Sequence, residues 1–274
     1  MNVLFLGEGK LAQICLKALI GDDFSGCFHL ASTVTSETFY NGFLNEHEEG
    51  QGVLFISNAS RNEDQILKAI HELEIDVLIS VQHKWILSNE VIAAVAGKAF
   101  NLHNAKLPDY KGHNTISFAI LNDEKEYTVS IHWLAPKVDS GDLILESSVA
   151  VDCRDTALSL YKKTVPEVKH LFVDFLRLLQ TNEIPRFSLN GNGDYFAKDD
   201  WEAHKVIALD DDPDLIDRKT RGSYFPPYEP GYLNLSGKKI YLLPDTPDSK
   251  TWARQKPLNK SSWDEFIPPL SQME

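Results

Sequence analysis

The first hundred residues repeat one pattern, in which a short apolar run is followed by a segment with helical spacing. Residues 3–6 form the first run, Gly7-Glu8-Gly9 follows as a turn, and apolar side chains then recur every three or four positions over 10–20. This spacing predicts a buried strand, a tight turn and an amphipathic helix. Further strand runs lie at 28–32, 53–56, 77–81 and 99–103, with helical segments at 63–73 and 90–95. The alternation predicts a mostly parallel sheet with helices on both faces.

The pattern changes beyond residue 120. Two alternating strand runs, at 127–133 and 143–151, flank a turn, and a long amphipathic helix is predicted over 156–180, kinked or split by Pro166. Short strand runs follow at 187–189, 195–196 and 239–243, and the Gly-rich segment 190–194 predicts a hairpin between the first two. The sequence therefore predicts an α/β fold, with a Rossmann-like domain over 1–180 and a smaller, mixed C-terminal region over 181–274.

Composition and charge narrow the classes of protein. The chain has 274 residues, of which 43% are hydrophobic and 24% charged, as in a globular protein. A net charge of −13 and the lack of a basic patch argue against a nucleic-acid partner. Three scattered cysteines and no charged leader before the first strand predict a reduced, cytoplasmic protein. No apolar run approaches the roughly 18 residues of a membrane span, so no membrane partner is expected.

Candidate chemistry appears where the fourth strand ends. Alternate side chains of a strand share a face, so Asn101 and His103 project together from the segment 99–103. Ligands of open parallel sheets bind outside the carboxyl ends of the strands. A carboxylate, Asp139, lies in a turn farther along the chain and is expected to fold back towards His103. With the spacing alone in view, an Asn and a His at this place are also consistent with simple loop caps.

Three motifs, in this order, resemble the folate-dependent formyltransferases: NLH at 101–103, LPxYKG at 107–112 and VDSGD at 138–142. The resemblance spans residues 1–150 and implies that 1–180 is a formyltransferase catalytic domain. It implies that Asn101, His103 and Asp139 are catalytic. It also implies that the backbone around Trp85, Ile86 and Leu87, together with Asp142, receives the pterin of 10-formyltetrahydrofolate.

These residue types suit the transfer of a formyl group to an amine. Negative charge develops on the carbonyl oxygen, where an Asn101 side-chain N–H donor is worth roughly 10²- to 10³-fold in rate. General base catalysis by His103 contributes about 10²- to 10⁴-fold, and Asp139 orients that imidazole. No His, Cys or Asp cluster has ligand spacing, so no metal is expected.

Formyltransferases of this kind use several acceptor amines. A tRNA acceptor requires a basic C-terminal region, which residues 151–274 do not provide, and a glycinamide ribotide enzyme would end soon after the long helix. The segment 218–228 resembles the one that follows the catalytic domain in nucleotide-sugar N-formyltransferases. The resemblance implies transfer to a nucleotide-linked amino sugar, with dTDP-4-amino-4,6-dideoxyglucose as the expected substrate, for O-antigen or other surface polysaccharide synthesis. A homodimer, formed through the long helix or the 190–193 segment, is also expected.

Substrate contacts are expected from both parts of the chain. Exposed aromatic side chains beside cations suit stacking on a nucleobase near a diphosphate. The residues assigned to the nucleotide sugar are Lys84, Tyr110, His113, Asn114, Arg221, Tyr224 and Phe225. The alternative for the aromatic segment is that Phe225 and Tyr228 only pack the small region on the large one.

Other interpretations remain open at this point. The acceptor is alternatively a dTDP-3-amino or a GDP-4-amino sugar. Gly7-x-Gly9-x-x-Ala12 fits a dinucleotide fingerprint and so a NAD-dependent nucleotide-sugar oxidoreductase, but the second strand does not end in the acidic residue that would hold the ribose. A non-catalytic sugar-nucleotide sensor is a third option. His132 is interpreted as a packed or rim residue, and the role of His83, which borders the pterin wall, is left open.

Overall fold

The structure is a computed structural model that describes residues 1–7, 9–20, 27–31, 63–83 and 85–254. These residues form two compact units, the first comprising Met1–His103, Val129–Ser147 and Val168–Asn192, and the second Asn104–Thr128, Ser148–Glu167 and the chain from Gly193 onward. Each unit uses residues from both sides of position 180, and a domain boundary at that position stays a prediction. The strand expected at 53–56 and the side chain of Lys84 lie outside the described residues.

Strands and helices alternate through the first half of the chain. The strands are β1 Asn2–Gly7, β2 Cys27–Ala31, β3 Val77–Val81, β4 Ala99–His103, β5 Tyr110–Gly112, β6 Glu126–Trp133, β7 Leu143–Ala150, β8 Asp194–Phe196, β9 Tyr232–Leu235 and β10 Lys238–Tyr241. The helices are α1 Gly9–Ile20, α2 Glu63–Glu72, α3 Asn89–Ala94, α4 Thr115–Leu121, α5 Ala157–Thr181, α6 Asp200–Lys205, α7 Pro213–Gly222 and α8 Pro247–Arg254. None of these described helices is long and apolar enough to cross a membrane.

The central sheet has six strands in the order β2-β1-β3-β4-β6-β7. The first four run parallel, and β6 pairs antiparallel with β4. Alternate side chains of β1 point to opposite faces, and both faces are covered. Leu4 and Leu6 pack in a cluster with Ile70 of α2, whereas Phe5 meets Phe172 of α5 edge to face at 6.5 Å. The predicted α/β sheet with helices on both faces is therefore confirmed.

The long helix α5 runs without interruption over 25 residues, with Pro166 in its interior. The predicted split at Pro166 is therefore wrong. Proline removes one helical hydrogen bond, but an apolar stripe that is buried on either side of it, at Val165 and Val168, holds the helix in place.

The predicted hairpin between 187–189 and 195–196 is also wrong. Phe187 forms an antiparallel bridge with Leu143, while β8 pairs in parallel with β5, a segment for which the sequence predicts no strand. The glycines of the connecting segment serve a different purpose from a hairpin turn. Gly193 has a φ of +55°, and a Cβ at this position would lie 1.7 Å from the carbonyl oxygen of Pro108.

We predict that Gly193→Ala lowers the free energy of unfolding by about 2 kcal/mol or more, because a left-handed φ and a backbone clash add together. Gly191→Ala is the matched control, since Gly191 also has a positive φ, of +82°, but has nothing within 4 Å of the added Cβ. The control is expected to lose only about 1 kcal/mol in urea unfolding. Equal losses in the two variants would contradict a close approach of the chain at Gly193.

Candidate active site

The antiparallel pairing of β4 with β6 brings the candidate chemistry together within the first unit. Asn101 lies opposite His132, and His103 lies opposite Ser130. Directly opposite residues of an antiparallel pair share one face of the sheet, so all four side chains belong to the same face. Ser130 and His132 are fully buried, whereas Asn101 and His103 are partly accessible at the carboxyl end of β4.

A hydrogen-bonded chain fixes the amide of Asn101. The Nδ1 atom of His132 lies 2.8 Å from the carbonyl oxygen of Trp133, which only accepts, so Nδ1 carries the proton. Nε2 of His132 lies 3.1 Å from Nδ2 of Asn101, and in the tautomer with its proton on Nδ1 the Nε2 lone pair accepts one of the two N–H bonds of that amide. The second N–H of Asn101 is available to a carbonyl oxygen of a substrate.

Asp139 lies between the two imidazoles. Its Oδ2 atom is 3.5 Å from Nδ1 of His103, and its Oδ1 atom is 3.6 Å from Nε2 of His132. The side chains of His103 and Asp139 are each 11% exposed, whereas His132 is 1% exposed. A carboxylate at this place orients the ring of His103 for proton transfer.

The turn after β6 has the geometry that the VDSGD motif requires. Asp139 adopts a left-handed φ of 46°, a strained conformation for a residue other than glycine. Gly141 lies so close to β6 that a Cβ there would meet the carbonyl oxygen of Trp133 at 1.8 Å. The N–H of Trp133 donates to the carbonyl oxygen of Asp142 at 2.9 Å and closes the turn. The backbone of this turn therefore sets the position of the Asp139 carboxylate.

The stretch expected to form the pterin wall follows β3 at the same edge of the sheet. Leu87 is buried in the core with Val91, and Ser88 caps α3 by accepting from the N–H of Val91 at 3.3 Å. Ile86 exposes 63% of its surface, and Trp85 is partly buried. Leu87 and Ser88 thus anchor the stretch, while Ile86 presents an apolar side chain to solvent, as a ligand wall requires.

Asp142 has a partner within the first unit. Its carboxylate lies 3.5 Å from the guanidinium of Arg186, which in turn lies 3.5 Å above the ring of Trp133. The side chains of Asp142 and Arg186 are 33% and 54% exposed. The predicted role of Asp142 in binding the donor stays a prediction, and the structure adds Arg186 as a cation beside it.

His83 is partly buried, and it stands out because its ring nitrogens have no visible partner. It follows β3, whose last residue, Val81, lies between Gly7 of β1 and Leu102 of β4. Both ring nitrogens are shielded from solvent, and neither has a hydrogen-bond partner among the residues that the structure describes. Desolvation lowers the pKa of His83 to about 4, so the ring is neutral near pH 7.

Six of the expected substrate residues lie in the second unit, and Tyr110, His113 and Asn114 are the first three of them along the chain. Tyr110 is buried, and its hydroxyl donates to Glu124 at 2.6 Å and accepts from Asn122 at 3.0 Å. His113 is exposed, and its backbone N–H donates to the carbonyl oxygen of Phe196. Asn114 is exposed in a left-handed conformation, and its side chain donates to the carbonyl oxygen of Lys198 at 3.0 Å. His113 and Asn114 are therefore the accessible members of this group.

Arg221 and Tyr224 do not form the exposed, cation-flanked platform that the sequence predicts. Arg221 is 8% exposed, pairs with Asp217 at 2.6 Å and donates to the carbonyl oxygen of Asp155 at 2.9 Å. Tyr224 is 1% exposed, and burial raises its pKa. The expectation of an exposed ring is wrong for Tyr224, because α7 and its C-terminal turn pack inward rather than towards solvent.

Phe225 supports the packing interpretation of this segment. Its ring contacts that of Tyr161 edge to face at 5.4 Å and that of Tyr228 at 6.1 Å, all within the second unit. Tyr228 is the exposed aromatic side chain here, with 54% of its surface accessible. A ring that stacks on a nucleobase is therefore better sought at Tyr228 than at Tyr224.

His132 is the residue that the sequence interpretation missed. Strand 126–133 alternates apolar residues with polar ones, and its polar face carries Thr128, Ser130 and His132. A row of polar side chains on one face of a buried strand is the sequence signal that could have identified His132, because buried polar side chains need polar partners. Among the described residues, no group of three His, Cys, Asp or Glu side chains is arranged to hold a metal ion.

Comparisons with known proteins agree with this geometry. A family model described as formyl transferase matches residues 1–176, which is more than half of the chain. The chain therefore belongs to the formyl transferase family, and the prediction of a formyltransferase enzyme is confirmed.

Individual relatives extend over most of the chain. A GDP-perosamine N-formyltransferase of Brucella melitensis is 26% identical over 241 residues, which cover 88% of this chain and 92% of the relative. The crystal structure of a 4-N formyltransferase from Francisella tularensis has 19% identity and a TM-score of 0.76, covering 89% of this chain and 98% of that one. An N-formyltransferase from Helicobacter canadensis in complex with folinic acid and dTDP-3-aminofucose has 21% identity and a TM-score of 0.68, covering 87% and 85%. At these identities, the two solved structures show a shared fold.

We predict that His132→Phe lowers the turnover number for formyl transfer roughly tenfold to a hundredfold, because the amide of Asn101 loses the acceptor that orients it. The Michaelis constants of both substrates are expected to change little, and His132→Gln should restore part of the turnover. Full activity in His132→Phe, with an unchanged melting temperature, would show that Asn101 does not need this partner.

We also predict that His83 makes the protein less stable in mild acid. Below pH 6.5 the unfolded chain protonates this imidazole, while the folded protein does not until about pH 4, so lowering the pH favours unfolding. Between pH 7 and pH 5 the loss attributable to His83 is about 2 kcal/mol. Urea midpoints of the wild type and His83→Phe should diverge over this range, whereas those of the exposed control His71→Phe should run parallel to the wild type.

Proposed function

We propose that this protein transfers the formyl group of 10-formyltetrahydrofolate to the amine of a nucleotide-linked amino sugar. The main support is the cluster of Asn101, His103, His132 and Asp139 at the carboxyl end of β4, in a chain that belongs to the formyl transferase family. Two of the relatives favour the sugar branch, since the Brucella protein is a GDP-perosamine N-formyltransferase and the Helicobacter protein is in complex with dTDP-3-aminofucose.

The residues of this cluster supply each element of the reaction. When the amine nitrogen bonds to the formyl carbon, the carbonyl electron pair moves to oxygen, and the second N–H of Asn101 donates to that oxyanion. His103 takes the proton that the amine loses, and the Asp139 carboxylate stabilises the resulting imidazolium. The bond from carbon to the folate N10 then breaks, the carbonyl forms again, and His103 returns the proton to N10. The step balances without an external acid or base.

The donor is expected at the stretch from Trp85 to Leu87. The exposed side chain of Ile86 offers an apolar surface for a flat heteroaromatic ring, and the buried Leu87 fixes the local backbone. Folinic acid, present in the complex of the Helicobacter relative, is itself a formylated folate and supports this choice of donor. Arg186 beside Asp142 is a further cation of the first unit, in reach of solvent for an anionic substrate group.

The particular acceptor is the finer part of the proposal. We retain dTDP-4-amino-4,6-dideoxyglucose as the expected substrate, in surface polysaccharide synthesis. We also retain a cytoplasmic homodimer as the active form and residues 1–180 as the catalytic domain. The Brucella relative favours GDP-perosamine as the alternative. Lys84 and the accessible His113 and Asn114 are proposed to contact the nucleotide sugar.

The test is incubation of the protein with 10-formyltetrahydrofolate and a panel of amino-sugar nucleotides. The panel contains dTDP-4-amino-4,6-dideoxyglucose, a dTDP-3-amino sugar and GDP-perosamine, and product masses are examined for the gain of one formyl group. Formylation of any member supports the class of acceptor and ranks its members. An oxidoreductase would instead change the absorbance of NADH, and a sensor would bind a sugar nucleotide without consuming folate.

We predict that Asn101→Ala and His103→Ala each lose at least about a hundredfold in turnover while they unfold at the same urea concentration as the wild type. The two side chains stabilise the oxyanion and move the proton, and neither is part of the apolar core. His71→Ala, an exposed histidine on α2, is the matched control and should retain full turnover. A fully active Asn101→Ala or His103→Ala would remove the proposed mechanism.

A further inference from the structure

His83 is a partly buried polar residue that the proposed mechanism does not use. Its two ring nitrogens have no hydrogen-bond partner within the described part of the chain. Most buried side-chain nitrogens in proteins have a partner, because an unmade hydrogen bond costs about 1–3 kcal/mol. A phenylalanine would fill a similar space without this cost, so the imidazole is energetically unexplained by the fold alone.

The backbone around His83 is also unusual. The preceding residue, Gln82, has a left-handed φ of 54°, and its side-chain oxygen would lie 3.0 Å from a Cβ placed on Gly9. Strained residues of this kind concentrate at ligand sites, where the surrounding structure holds them. The strained residue lies where β3 ends, directly before His83, at the carboxyl edge of the parallel strands that also carries Asn101 and His103.

The protonation state of His83 limits the ligand groups it can bind. Since the ring is neutral near pH 7, one nitrogen donates a hydrogen bond and the other accepts one. A phosphate or carboxylate offers only acceptors, and an ammonium group offers only donors. A flat heteroaromatic ring with alternating N–H and carbonyl or ring-nitrogen groups along its edge offers both.

We propose that His83 is a binding residue of the donor site and that its imidazole hydrogen-bonds to the pterin ring of the folate donor. This inference rests on the proposed function, since it assumes a folate donor at the stretch 85–87. The pterin is favoured over the nucleobase of the acceptor because His83 lies two residues from Trp85 and three from the exposed Ile86. Both rings have donor and acceptor edges, and the experiment separates them.

The experiment measures direct binding of folinic acid, a stable formylated folate, to the full-length protein by isothermal titration calorimetry. His83→Phe is expected to weaken binding roughly tenfold or more, because the pterin keeps unpaired polar groups against an apolar ring. His83→Gln, which keeps a donor and an acceptor, is expected to stay within about threefold of the wild type. His71→Phe is the surface control and should bind like the wild type.

A second readout distinguishes ligand binding from a merely structural role. Replacing an unpartnered buried imidazole with an apolar ring is expected to leave the melting temperature of His83→Phe unchanged or raise it. Should that variant fail to fold, ¹⁵N NMR of the wild-type histidine rings gives the same information. The signal of His83 is identified by its absence from the spectrum of His83→Gln. This signal is expected to shift on addition of folinic acid and to stay in place on addition of dTDP.

The outcomes separate this inference from the proposed function. Unchanged folinic acid affinity in His83→Phe overturns the inference, as does a rise in the Michaelis constant of the sugar nucleotide alone, which would assign His83 to the nucleobase. Folinic acid binding that depends on His83, without formylation of any amino sugar, would support the inference and remove the proposed acceptor.

Discussion

The backbone pairing of β4 with β6 is the constraint on which the candidate active site depends. Its register places Asn101 opposite His132 on one face and Phe100 opposite Trp133 on the other. The ring of Phe100 lies 4.6 Å from that of Trp133 and 5.1 Å from that of Phe175, so burial of aromatic surface holds the register. A slip by one residue would turn His132 to the opposite face and remove the amide's partner. Packing on the apolar face thus determines the chemistry of the polar face.

The polar face also shows how the fold accommodates buried polar groups. His132 is fully buried, but the carbonyl oxygen of Trp133 and the amide of Asn101 satisfy both of its nitrogens. A satisfied network of this kind rigidifies a core and selects one rotamer and one tautomer. His83, at the neighbouring strand end, has equally shielded nitrogens without this satisfaction. The hydrogen bonds of His132 are therefore complete within the fold, whereas those of His83 are unmade among the described residues.

The sequence predicted the elements well where hydrophobic periodicity alone decides them. The bounds of β3 and β4 match the runs at 77–81 and 99–103, because most side chains of strands in a parallel sheet covered on both faces are buried and apolar. Contacts between distant segments were harder to predict. Phe187 and β8 carry strand signals, but each pairs with a partner far along the chain, and the intervening glycines resemble a hairpin. His132 was missed for the same reason, since its role depends on which strand lies beside β6. The exposed ring expected at Tyr224 was wrong, because cations and aromatics in and after α7 look alike in sequence whether they face solvent or the interior.

The turn that joins β6 to β7 has a consequence for how this site tolerates change. Gly141 touches the end of β6, and the chain closes between Trp133 and Asp142, so a fixed number of residues separates the carboxylate of Asp139 from the strand that carries His132. The position of this carboxylate is therefore set by the length of the connecting segment rather than by the identity of its side chains. The exposed residues 136 and 137 are then free to vary in type, but the number of residues between Trp133 and Asp139 is not, because an insertion or deletion there would carry the acid away from both imidazoles while the strands on either side remained intact.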